Sequence, residues 1–136
     1  MAERPADERP SATDAELVLL EILWQHGPST VRELHGRLRG DRRQWAYTTV
    51  QTLLRRLEEK GFVAVDRSGF AHRFRAAVSR DDLLGRELSG LAERLCGGAA
   101  APLLRKLVEA NRFRPEELRR FRQILDAAAP REEDDA

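Results

Sequence analysis

The stretch AYTTVQTLLRRLEEKGFV, residues 46–63, has the periodicity of an amphipathic helix but an atypical front end. Its first turns carry Tyr47, Thr48, Thr49, Gln51 and Thr52, where a routine solvent-facing helix carries Glu and Lys. β-Branched threonines are mediocre helix formers, so a demand other than helix propensity selects them. On a wheel of about 100° per residue with Val50 at zero, Leu53, Leu54 and Leu57 fall within about 60° and form the buried side. Thr48, Thr52 and Arg55 fall opposite, flanked by Gln51 and Arg56. No carboxylate enters this outward face until Glu58 and Glu59. A helix that enters a major groove needs this pattern: donors and acceptors for base edges in front, acids held away from phosphates. Thr methyls suit thymine methyls, and Arg55 or Arg56 suits guanine or a phosphate. The plainer alternative is a solvated face that happens to be rich in threonine.

Behind Gly61 the period changes from helical to alternating. FVAVD and AHRFRA are two short β-like runs around RSGF, whose Ser-Gly pair is a turn former, so a hairpin is expected. Arg67 is expected at its tip, and His72, Arg73 and Arg75 lie on the return strand. Together they would make a basic wing placed to reach backbone or minor groove. Arg42 and Arg43, in the charged RGDRRQ loop before the helix, suit phosphate contacts that position a protein without reading sequence.

Upstream, TDAE is a capping box, with Thr13 as N-cap and Glu16 reaching back. The helix it opens carries Leu17, Leu20, Ile22, Leu23 and Trp24 and stops at HGPS. Ser29 or Thr30 caps a shorter helix to about Leu38, buried through Val31, Leu34 and Leu38. Three helices followed by a hairpin is the order of a winged helix-turn-helix. The expected class is therefore mainly α (α+β): a winged helix-turn-helix DNA-binding domain over residues 13–78, then an α-helical dimerisation region over 79–129. Residues 1–12 and the acidic 130–136 are expected as disordered tails.

In the second part, Leu84, Leu88, Leu91 and Leu95 form a narrow seam on one helix. Gly97-Gly98 breaks it, and a further helix carries Leu104 and Leu107. A last helix, with Pro115 at its first position, carries Leu118, Phe121, Ile124 and Leu125. Helices this short in a chain of 136 residues leave apolar surface best covered by a second copy, so a homodimer is expected.

Charge points the same way. The net charge is +1, but residues 30–75 hold eleven Lys/Arg against five Asp/Glu, a balance of +6 between flanks that are acidic or near neutral. A polyanion-binding face confined to one region is the expectation; chance clustering on a solvated surface is the alternative. A single cysteine, Cys96, excludes an internal disulfide framework; its place near the end of an apolar helix reads as a small packed hydrophobe, with a redox-sensing thiol exposed by Gly97-Gly98 as the alternative. There is no apolar run long enough to span a membrane, and MAERPADERPSA has no secretory h-region, so the cytoplasm is expected. His26, His35 and His72 fall in three different elements, so neither a metal site nor a cofactor is expected. No nucleophile triad or glycine-rich phosphate loop is present, and Asp81-Asp82 and Glu116-Glu117 occupy ordinary first-turn positions. An enzyme is not expected.

TDAELVLLEILWQHGPSTVRELHGRL, AYTTVQTLLRRLEEKGFV, RFRAAVSRDDLL and PEELRRFRQIL together resemble the BlaI/MecI/CopY family, over about Thr13 to Leu125. These are winged-helix repressors of penicillinase, methicillin-resistance and copper-transport genes. The resemblance implies a dimer that binds a palindromic double-stranded DNA operator and blocks transcription, with the C-terminal helices as interface. It maps the family's recognition helix onto Thr48, Thr49, Gln51, Thr52, Arg55 and Arg56. The chain departs from the family twice. The paired Cys-x-Cys motifs of copper-responsive members are absent. The Asn-Phe bond cleaved in antibiotic-responsive members aligns with Lys106-Leu107. The regulatory protease or signal partner is therefore left unassigned. The competing function is a winged helix used for protein–protein contact without specific DNA binding.

Overall fold

The computed structural model describes residues 11–40 and 44–129. The expected tails over 1–10 and 130–136, and Arg42 and Arg43, lie outside the described residues. The element order is α1 (Asp14–His26), β1 (Ser29–Thr30), α2 (Val31–Gly40), α3 (Tyr47–Glu59), β2 (Val63–Asp66), β3 (Arg73–Ala76), α4 (Arg80–Cys96), α5 (Ala101–Ala110) and α6 (Pro115–Ala128).

The capping box at α1 forms as the sequence indicates. Thr13 Oγ1 accepts from the Glu16 N–H at 3.2 Å, and Glu16 Oε1 accepts from the Thr13 N–H at 3.0 Å. Thr30 plays the same part for α2, accepting from the Glu33 N–H at 3.1 Å. Thr30 also belongs to the two-residue strand β1, which the sequence does not announce. It exists because β3 lies beside it: Ser29 pairs with Phe74 and Thr30 with Arg73. The sheet is antiparallel in the order β1-β3-β2, with Val63 opposite Ala76 and Val65 opposite Phe74.

Helix α3 ends in a Schellman motif. The Phe62 N–H donates to Leu57 O at 2.9 Å and the Gly61 N–H to Glu58 O at 3.0 Å, while Gly61 takes φ +80°. A side chain at Gly61 would strain that turn. The motif drives Phe62 into the core and starts β2 directly behind the helix. The core joins Leu19, Leu20, Ile22 and Leu23 of α1, Leu34 and Leu38 of α2, Val50, Leu53, Leu54 and Leu57 of α3, then Phe62, Val63, Val78 and Leu83. This is a winged helix, three helices and a hairpin around one core, with the first turn of α4 added.

One polar interaction crosses that core. Glu16 is fully buried, and its Oε1 accepts from Lys60 Nζ at 2.6 Å, tying α1 to the end of α3. The same ammonium donates to Ser11 O at 2.8 Å. Burial raises the Glu16 pKa, but the Lys60 bond and the two Thr13 bonds outweigh it, and the net direction is below the ordinary carboxylate value. A depressed folded-state value means stability present above the unfolded value and lost as pH falls through the folded one. Urea melts of the wild-type chain are expected to lose stability in that acid range, and Glu16→Gln to remove part of the dependence. At neutral pH, Lys60→Ala strands the buried carboxylate and should cost about 3 kcal/mol. A loss under about 0.5 kcal/mol would show the pair to be structurally idle.

The C-terminal helices pack differently. Trp24 Nε1–H donates to Val78 O at 2.8 Å, and Arg80 lies 5.1 Å from the centre of its ring, which fixes the start of α4 to α1. The Ala12 N–H reaches Glu87 Oε1 at 3.2 Å, so residues 11 and 12, expected within the tail, are hydrogen-bonded. At the far end of α4, Gly97 adopts φ +59° and the Gly98 N–H caps Ala92 O at 3.0 Å. Helices α5 and α6 contain no buried residue at all. No described helix is long and apolar enough to cross a membrane.

Candidate nucleic-acid interface

Helix α3 buries Val50, Leu53, Leu54 and Leu57 and leaves Tyr47, Thr48, Thr49, Gln51, Thr52, Arg55 and Arg56 exposed. The helix therefore buries and exposes the sides that its sequence period indicates. Its start is also unlike those of the other long helices. Helices α1, α4 and α6 each carry two acids in the first turn, and α3 carries none. Its N-cap is Ala46, with no side-chain cap. The positive end of the helix dipole is left facing outward, beside groups that hydrogen-bond without charge.

The exposed side chains sort into two flanks. Tyr47, Gln51 and Arg55 share a groove of about 600 Å³ with Arg67, Phe70 and His72 of the wing. Thr48, Thr49, Thr52 and Arg56 line a shallower depression on the other side of the helix. Thr52 Oγ1–H donates back to Thr48 O at 2.9 Å, which leaves the threonine methyl as a contact surface. Tyr47 is set by His35, ring edge to ring face at 5.7 Å and 76°. His35 Nε2 lies 2.9 Å from Trp45 O, so the segment leading into α3 is fixed to α2.

The wing differs in detail from the sequence expectation. Arg67 is the first residue after β2, not the tip. Its Nη2 donates to both carboxylate oxygens of Glu58, each at 2.9 Å. Asp66 Oδ1 accepts from the Ser68 hydroxyl at 2.6 Å and from its N–H at 2.9 Å, which bends the chain into the loop. Those bonds hold the Asp66 pKa below its ordinary value. The tip is Ser68, Gly69, Phe70 and Ala71, which carry no charge. Arg73 and Arg75 alternate with the half-buried Phe74 and Ala76, so they project from the opposite face of the sheet. Arg73 Nη1 lies 3.5 Å from Glu33 Oε1. His72 joins the groove, whereas Arg73 and Arg75 do not line it.

Arg32, Glu58, Phe70, Ala71 and Phe74 also line this groove, and the sequence does not announce them as groove residues. In the sequence Glu58 reads only as an acid at a distance from the helix front, since its pairing with Arg67 joins the helix to the wing. An aromatic in a Ser-Gly turn was the available signal for Phe70.

The expected interface residues of the C-terminal helices are mostly uncovered. Leu84, Leu88, Leu95, Leu104, Leu107, Leu118, Ile124 and Leu125 are exposed, and Leu91 and Phe121 are half-buried. Phe113 meets Phe121 edge to face at 4.9 Å. Lys106 and Leu107 lie inside α5, both exposed. Cys96 is half-buried at the end of α4. Among the described residues, no three His, Cys, Asp or Glu side chains converge as metal ligands do.

The chain is similar in sequence to known proteins. A family model described as penicillinase repressor matches residues 12–127. The transcriptional regulator BlaI of Mycobacterium tuberculosis is 38% identical over 98 residues, covering 71% of this chain and 70% of that protein. The penicillinase repressor of Bacillus licheniformis is 24% identical over 117 residues, covering 86% of this chain and 91% of that one. Among solved structures, the Bacillus licheniformis BlaI monomer in complex with its half-operator is 27% identical, with a TM-score of 0.47, covering 55% of this chain and 90% of that one. With a family model spanning nearly all of the described residues, the chain belongs to the penicillinase repressor family, whose members are transcriptional repressors and not enzymes.

Proposed function

We propose that the protein is a homodimeric repressor that binds a two-fold-symmetric duplex operator, with α3 of each copy in a major groove. The observation that carries this is the outward face of α3. Seven exposed residues there offer hydroxyl, amide and guanidinium groups, with no acid in the first turn. Such a face suits base edges approached between two phosphate rails. The BlaI–half-operator structure supports the same use of the domain in a relative. Thr48, Thr49, Gln51, Thr52, Arg55 and Arg56 are assigned to base edges and nearby phosphates, and Tyr47 and His72 to the groove margins. Arg73 and Arg75, on the far face of the sheet, add to the basic field and to attraction rather than to contact. The uncovered leucines of α4, α5 and α6 are assigned to the partner copy, because a monomer would leave them in water. The setting is the cytoplasm, where the operator lies.

The test is binding of the purified chain to plain duplex DNA across a salt series. A dissociation constant that weakens steeply and log-linearly with salt is expected, as counterions return to the phosphates. No binding even at low salt would favour instead a winged helix that contacts another protein.

A further inference from the structure

The wing's chemistry does not match its apparent basic character, and the mismatch assigns roles to two residues. Arg67 has both oxygens of Glu58 at 2.9 Å, and Arg73 has Glu33 at 3.5 Å. Asp66 is folded onto Ser68. What remains at the tip is Ser68 to Ala71, with no charged group. Its one large side chain, Phe70, has 109% relative exposure, meaning no described neighbour covers any of it. A lone exposed aromatic is ordinary on a protein surface. This one lines the same groove as Gln51 and Arg55 of α3, with small neighbours, Gly69 and Ala71, that leave the ring free to project.

We infer that the wing meets duplex DNA through the Phe70 ring, laid as an apolar contact against the sugar edges of the minor groove, and that Arg67 is a positioning residue. Through Glu58, Arg67 braces the loop against the last turns of α3, so the ring is carried at a fixed offset from the residues that read bases. The pair is set between α3 and the wing alone and spends the arginine's charge on a carboxylate, so Arg67 adds little to phosphate attraction. Apolar side chains at such positions in other architectures contact or wedge minor-groove steps. This inference rests on the DNA-binding function proposed above.

The experiment uses the full chain and a mixed-sequence duplex at low salt, with affinity, salt dependence and hydroxyl-radical footprint as readouts. Phe70→Ala is expected to weaken binding about tenfold, the effect of one phenyl ring left unburied, with the salt slope unchanged. Phe70→Leu should retain most of the affinity. Because Phe70 supports no packing, loss of folding does not confuse the result. Arg67→Gln should leave the slope unchanged but erase the protected minor-groove sugars beside the major-groove site. A Phe70→Ala chain that binds as wild type overturns the tip assignment. A slope reduced by about one in Arg67→Gln makes Arg67 a phosphate contact and overturns the positioning role. A wild-type chain that binds no duplex overturns the DNA-binding function itself, an outcome distinct from either.

Discussion

A chain carrying Leu84→Glu and Leu95→Glu is expected to run as a monomer and to lose operator affinity by about a hundredfold or more. Both leucines lie on one seam of α4 and are 55% and 74% exposed, so in a lone chain the glutamates stay solvated and the fold is undisturbed. In a dimer the same glutamates would be buried against a second copy with no partner for their charge. The affinity loss follows from valence, not from any lost DNA contact. Once one half-site is held, the second binds as an intramolecular event, and linkage of this kind is worth about 10²–10⁴ in affinity. Light scattering should show the mass falling from twice the chain mass of 15.5 kDa to the chain mass itself. Unchanged mass with unchanged binding would place the partner elsewhere, or show that the leucines pack against nothing.

The second large effect is expected at Arg55. It sits on the outward face of α3, in the groove shared with the wing and on the side of the helix away from Leu53 and Leu57. If it grips guanine O6 and N7, Arg55→Ala should cost about 1–3 kcal/mol on the operator and distinctly less on scrambled duplex. Gel shifts on the two duplexes give the ratio. An equal loss on both would reduce Arg55 to a phosphate contact and move base reading to Gln51 and the threonines.

Much of this architecture was legible in the chain because it is local. The Thr13–Glu16 capping box, the heptad-like spacing of Val50, Leu53, Leu54 and Leu57, and the Gly61 stop each depend on residues within a few positions of one another. The two-residue strand β1 was not legible, since two residues carry no period and pair only because β3 arrives from 43 positions later, as Thr30 against Arg73 shows. Glu16 read as a cap and nothing more; its second role, holding Lys60, joins α1 to α3 across 44 residues. The wing is the instructive case. In the sequence its arginines read as positive charge, yet strand parity implies that residues flanking the half-buried Phe74 face away from the helix. No local rule foretells that Arg67 folds back onto Glu58, nine residues before it. The C-terminal seam was legible as apolar, while its occupant was not, because a surface does not name what covers it.

Selection of bound sequences from a randomised duplex pool with the purified full chain, followed by footprinting of the enriched sites, tests the central claim most directly. An inverted repeat is expected, its halves centred one helical turn or a multiple apart, about 34–36 Å per turn, with protection in two successive major grooves. Enrichment of a single unrepeated half-site would contradict the dimer, and a pool that emerges unenriched at low and moderate salt would contradict sequence-specific DNA binding altogether.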